Sequence, residues 1–256
     1  MIDCCPSVKV SHRLNDYHFS KSLSFTDSLW NKHSLIHFIN IIIHVAAGSL
    51  ALLLGVFALL SPKRKGVHTR SGQIFLLLLS LVIITGLVGV FGFGRNTFLL
   101  VITVLSGYFG FSGYRTLQTK SNQPKTLDVV VALLALGTVS YFLYYFKSIG
   151  MIWSPVIIYS TVGTLFMVVG YDFLRYLIPS RLYKRLWLYE HIFKMIGAFS
   201  ALLSAFSGTV FENYQPYSQF LPSVLGTLLQ IGFIVYFATK HRKTSKSIRV
   251  TSSAIN

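Results

Sequence analysis

Two histidines, His68 and His191, stand with Arg115, Asp172, Glu190 and Lys194 at the ends of long apolar stretches. An ionisable group inside a bilayer costs at least about 2.5–3.5 kcal/mol on insertion scales, so such groups usually have a reason to be there. Imidazoles and carboxylates are metal donors and proton carriers, and three chemistries fit these residue types. His68 and His191 could bracket a haem for electron transfer, which needs two imidazoles at matching depth on different helices. His68, His191 and either Asp172 or Glu190 could instead hold a catalytic zinc with one position open for water, the remaining carboxylate acting as general base of a membrane hydrolase. The third chemistry is non-enzymatic, a transporter or sensor of a small or lipid-like ligand, with protonatable groups at two depths forming part of a proton path.

The elements that must position these residues are transmembrane helices. A helix needs roughly 20 mostly apolar residues to cross a hydrocarbon core about 30 Å thick. Seven stretches qualify: Leu35–Leu60, Gly72–Phe93, Thr97–Tyr114, Leu127–Phe146, Ile152–Phe173, His191–Phe211 and Gln219–Phe237. Hydrophobic residues make up 53% of the chain and charged residues 12%, against about 25% charged in a soluble domain. The predicted fold is therefore all-α, a polytopic seven-helix bundle over residues 35–238. An N-terminal tail (1–34) precedes it and a basic tail (239–256) follows. Residues 1–34 lack the apolar core of a signal peptide, so the first span is expected to act as its own insertion signal.

Charge placement orients the bundle. Lys63, Arg64, Lys65 and Arg70 fill the first gap, Arg115, Lys120 and Lys125 the third, and Arg175, Arg181, Lys184 and Arg185 the fifth. The second and fourth gaps hold only Arg95 and Lys147, and the C-terminal tail is basic again. The positive-inside bias then puts the N-terminus outside and the C-terminus in the cytoplasm. The +16 formal charge is spread along these gaps and lacks the fold or aromatic platform of a nucleic-acid binder, so nucleic acid is not an expected partner. The bilayer is.

Depth sorts the ionisable residues. His68, Arg115, Asp172, Arg175, Glu190, His191 and Lys194 fall at the inner boundary on several helix ends. His44 is a separate polar position in the outer half, with His37 seven residues earlier on nearly the same face. Arg115, Arg175 and Lys194, each taken singly, are expected to snorkel to the headgroups. Asp172 has a short stem and gains nothing from anionic lipid, so it is expected to face the bundle and pair with a basic neighbour such as Arg175. The competing reading of the cluster is a hydrogen-bond network that only ties helix ends together. Small residues at helical spacing (Gly107, Gly110 and Gly113; Gly197, Ala201 and Ala205) predict close helix contacts within one bundle.

Several of these positions form motifs that resemble a known family. His44-Val-Ala-Ala-Gly48, Lys65-Gly66-Val67-His68-Thr69-Arg70-Ser71-Gly72, Gly113-Tyr114-Arg115-Thr116-Leu117, Asp172-Phe173-Leu174 and the run from Trp187 through His191 to Met195 occur in order, one per helix end. Together they resemble an uncharacterised family of bacterial predicted membrane proteins (domain of unknown function 2306) over residues 40–210. The resemblance implies a bacterial cytoplasmic membrane and marks His44, Gly48, His68, Arg115, Asp172 and His191 as pattern-bearing. It brings no activity with it. Soluble-enzyme signatures are missing from the sequence: there is no Walker loop, no dinucleotide fingerprint and no nucleophile elbow. The cysteines, Cys4 and Cys5, are adjacent and make neither a disulfide nor a metal framework.

Overall fold

A computed structural model describes the backbone of residues 12–62, 66–94, 98–123, 125–149 and 154–253. It describes side chains between 34 and 240 within those segments, apart from 98, 99 and 149. Cys4, Cys5, Lys63, Arg64, Lys65 and Arg95 lie outside the described residues, and the expectations placed on them stay there. Seven helices follow one another: α1 (His12–Leu60), α2 (Val67–Phe93), α3 (Phe98–Thr119), α4 (Thr126–Ile149), α5 (Pro155–Leu174), α6 (Ser180–Val210) and α7 (Tyr217–Ser253). Short 3-10 turns follow α5 (Arg175–Leu177) and α6 (Glu212–Tyr214).

Among the described residues, six helices are long and apolar enough to cross a membrane. Helix α3 holds the interior position. Helix α3 packs most heavily on α6 and also touches α2, α4 and α5, so it faces protein nearly all round. It spends its polar residues on those neighbours: Ser106, Tyr108, Ser112 and Thr116 are all buried. The outer helices do the opposite. Leu53, Leu77, Leu134, Met167 and Leu228 are exposed, as lipid-facing side chains must be. The protein is an integral membrane helix bundle.

Two element boundaries differ from the hydropathy reading. Helix α6 begins at Ser180, three turns before His191, because the basic run Arg181–Arg185 is helical even though it is too polar for a span. Glu190, His191 and Lys194 therefore lie inside a 31-residue helix and do not open it. The segment read as an N-terminal tail is helical from His12 and continuous with the first span. Helix α2 ends where Gly94 takes the left-handed conformation (φ 62°) and returns its N–H to the Gly89 carbonyl, a position that favours glycine.

Small residues set the helix spacing. A Cβ on Gly113 would lie 3.0 Å from Lys194 Cβ and 3.1 Å from Met195 Sδ, and one on Gly197 would lie 2.9 Å from the Phe109 ring. These two glycines, one on each helix, let α3 and α6 approach closely along their length. Helices α1 and α2 form a second body. They pack mainly on each other and only lightly on α3 and α6.

Candidate functional site

The sequence-predicted cluster divides into two sites on opposite sides of the α3–α6 pair. On the α5 side, Asp172, Arg175, Glu190 and Lys194 form one buried, electrically balanced quartet. Lys194 is fully buried and the other three are at most 6% exposed. Its Nζ pairs with Asp172 Oδ1 and lies 2.6 Å from Glu190 Oε1 and 2.6 Å from Ser112 Oγ. Arg175 pairs with Glu190 Oε1, and its Nε is 3.8 Å from Asp172 Oδ1. Hydroxyls complete the set. Tyr108 and Ser112 donate to Asp172 Oδ2 at 2.7 Å each. Thr116 donates to Glu190 Oε1 and Tyr183 to Oε2, both at 2.8 Å.

All four carboxylate oxygens are taken. Two buried anions are tolerated here because two cations and at least four hydroxyl donors surround them. Arg175 and Lys194 thus turn inward, contrary to the snorkelling expected of them. The cause is that each finds a carboxylate within the bundle, which headgroup contact would leave unneutralised. Asp172 does face the bundle beside Arg175, and Lys194 is its nearer partner.

Arg115 does not join the quartet. It forms a two-pronged pair with Asp128 in the first turn of α4, at 2.6 and 3.1 Å. A small space of about 10 Å³ lies between this pair and the quartet, lined by Arg115, Asp128, Asp172 and Arg175. That is near the lower limit for one water. Arg175 Nε, a buried donor without a hydrogen bond among the described residues, belongs to the same region.

His68 and His191 come together elsewhere, in a cleft of about 350 Å³ between the α1–α2 body and the α3–α6–α7 body. Aliphatic and aromatic side chains make up most of its lining, with Gln73, Tyr114 and Trp187 near the histidines. His68 Nδ1 is 2.9 Å from the Ala58 carbonyl, one of the carbonyls left over at the end of α1. His191 Nδ1 is 2.9 Å from the Gly113 carbonyl, an approach that the missing side chain of Gly113 permits. A carbonyl only accepts, so Nδ1 carries the proton on both rings. A ring that carries its single proton at Nδ1 has its lone pair at Nε2.

The three-ligand zinc set is not assembled. Among the described residues no three His, Cys, Asp or Glu side chains converge on a point where one ion could sit. Glu190 and His191 are neighbours in sequence, yet successive residues leave a helix about 100° apart, and their partners lie on different faces of α6. Asp172 and Glu190 are already saturated by the quartet.

His44 is 2.9 Å from Thr85 Oγ1, and Asn40 donates to the Thr85 carbonyl at 3.0 Å. Thr85 gives its own hydroxyl proton to the Leu81 carbonyl at 2.8 Å, so His44 Nδ1–H is the donor to Thr85. His37, Asn40 and His44 line a further cavity of about 290 Å³ toward the α1 N-terminal side.

Sequence reasoning missed Asp128 and the hydroxyls. One signal was available: Tyr108, Ser112 and Thr116 recur every four residues along the third span, which marks a polar stripe on one helix face.

Fold and site together define a helical membrane protein with a closed ion-pair network and two histidine-bearing cavities. In comparisons with known proteins the chain matches no protein-family model, no curated protein and no solved structure.

Proposed function

We propose that this bundle binds a small, lipid-soluble ligand in the cleft that His68 and His191 share, and acts as a carrier or sensor. One observation carries the reading: an apolar cleft of about 350 Å³ has two imidazoles with oriented tautomers among its few polar groups. Ligand sites are concave, mostly apolar, and fixed by a small number of placed polar groups. Nε2 of His191, whose Nδ1 is held by the Gly113 carbonyl, suits a ligand that donates a hydroxyl proton. The quartet serves this site by holding α3, α5 and α6 in register behind it.

The proposal includes seven spans, α3 among them, with the N-terminus outside and the C-terminus cytoplasmic. The interior position of α3 and the basic residues at alternate helix ends support that topology. Kinship with the uncharacterised bacterial family, and with it a bacterial cytoplasmic membrane, is part of the same proposal and rests on the ordered motifs.

The test uses 1-naphthol, an uncharged hydroxyl-bearing aromatic. In a Trp30→Phe, Trp153→Phe background, Trp187 in the cleft wall reports binding through its emission. Saturable quenching that weakens about tenfold or more in a His68→Ala, His191→Ala variant supports the site, since each lost hydrogen bond contributes about 0.5–1.5 kcal/mol. Quenching that never saturates, or that ignores both histidines, removes it.

A second reading has its own observation. Two imidazoles with anchored Nδ1 atoms on different helices and one shared cleft also meet the donor requirement of a bis-histidine haem. An intense visible absorption band in the purified protein, lost in the double variant, would favour electron transfer over ligand carriage.

A further inference from the structure

We propose that the two cavities are the opposite vestibules of one path for an uncharged solute, closed at its middle by Phe199 and Phe75 over Gly55. This rests on the inner cleft being a ligand site and extends it to passage across the bilayer.

The cavities share their walls. On α1 the lining runs from His44, Gly48 and Leu52 in the outer cavity to Gly55 and Leu59 in the inner one. On α2 it runs from Val82 and Leu79 to Leu76 and Phe75, and on α6 from Ala205 and Leu202 to Phe199 and Ile196. On each helix the last outer position and the first inner one are three residues apart. About one helical turn, roughly 5 Å, therefore separates the two spaces.

A specific contact closes that turn. A Cβ on Gly55 would lie 2.5 Å from Phe199 Cδ2 and 3.4 Å from Phe75 Cδ2, so both rings meet over a position that has no side chain. Both rings are buried. The closure lies where the α1–α2 body meets α6, and the two touch only lightly. Packed bodies that meet across a small contact can rock against each other, and here such a movement would lift Phe199 from Gly55.

The lining also defines the cargo. Among the described residues, no Asp, Glu, Lys or Arg lines either cavity. Their polar groups are neutral hydroxyls and amides together with imidazoles, such as His37, Asn40, His44 and Thr103 outside, and His68, Gln73 and His191 inside. An ion would meet no opposite charge along this route and would carry its full desolvation cost. The buried quartet faces the other side of α3 and α6 and offers none. The cargo is therefore a neutral molecule with an apolar body and hydrogen-bonding groups.

Single cysteines in a Cys4→Ser, Cys5→Ser background test the path. Ser49→Cys marks the outer cavity and Gln73→Cys the inner cleft, and an uncharged, sugar-bearing maleimide that does not cross lipid is applied to right-side-out and inverted vesicles. The expected result is that each cysteine reacts from its own side only. Phe199→Ala, or Phe75→Ala if the first variant does not fold, then abolishes that sidedness. Cysteines that do not react from either side overturn the path. So does sidedness that survives both alanine variants, or that is absent with both rings in place. Naphthol binding is scored separately: if it saturates while sidedness survives both variants, the site stands and the path falls.

Discussion

Glu190 and Lys194 sit one turn apart on α6 with Nζ 2.6 Å from Oε1, and the same ammonium reaches across to Asp172 on α5. One fully buried lysine thus neutralises acids on two helices. The arrangement explains why a membrane interior tolerates four ionised side chains at one point. Each charge is matched, and the hydroxyls of Tyr108, Ser112, Thr116 and Tyr183 use the remaining lone pairs. It also separates structure from chemistry: a network with no spare oxygen holds helices together and has nothing to offer a metal.

Removing Lys194 alone should be the most damaging single change at this point. Lys194→Met leaves Asp172 and Glu190 sharing one guanidinium, and breaking a buried pair in this way costs about 3–5 kcal/mol. Adding Glu190→Gln should recover part of the loss, because it removes the uncompensated anion. Thermal unfolding in detergent, followed by tryptophan emission, should give a lower Tm for the single variant than for the double. A double variant that melts at or below the single would show that the pair is not coupled as described.

Tyr108→Phe and Tyr183→Phe each delete one hydroxyl donor to a carboxylate and leave the ring packing intact. Hydrogen bonds to charged groups contribute about 1.5–3 kcal/mol. Both variants should therefore melt below wild type but above Lys194→Met. Tyr141→Phe, on an exposed face of α4, should leave Tm unchanged. Equal melting of all three tyrosine variants would mean that the carboxylates do not depend on these donors.

Much of the fold was legible because a bilayer forces it: apolar runs of spanning length become helices, and the basic residues gather in alternate gaps. The partition of the cluster was not legible. Depth along a helix can be read from a residue number, but rotation about the axis decides which neighbour a side chain meets. Glu190 and His191 share a depth, yet Glu190 turns into the ion-pair network and His191 into the cleft for that reason. Asp128 escaped notice because an acid in a first helical turn looks like an end decoration, and its pairing with Arg115 needs the α3–α4 turn to be known.

Gly113 serves both sites at once, so substitution there should be felt in two measurements. A methyl group would meet Lys194 Cβ at 3.0 Å and Met195 Sδ at 3.1 Å, on the helix that carries His191. Overpacking of this kind costs about 1–3 kcal/mol. Gly113→Val should lower Tm and also weaken naphthol binding, since forcing α3 from α6 lengthens the bond from His191 to the Gly113 carbonyl. Gly137→Ala, where an added Cβ meets nothing within 4 Å, should change neither. A Gly113→Val protein with lowered Tm but unchanged binding would disconnect the helix contact from the cleft.

Thr85→Val isolates the outer histidine without changing side-chain volume much. In the native protein Thr85 Oγ1 accepts from His44 Nδ1 at 2.9 Å and passes its own proton to the Leu81 carbonyl. The Leu81 carbonyl keeps its place in the α2 ladder, so the loss falls mainly on His44. Losing one such hydrogen bond should cost about 0.5–1.5 kcal/mol, a modest drop in Tm. The more telling readout is local. His44 lines the outer cavity, and the Thr85 bond is one of the contacts that set its ring there. Reaction of Ser49→Cys with the uncharged, lipid-impermeant maleimide should then change in rate while staying one-sided, because Phe199 and Phe75 still close the path below it. A Thr85→Val variant that loses sidedness would place the barrier at His44, and the closure at Gly55 would have to be given up.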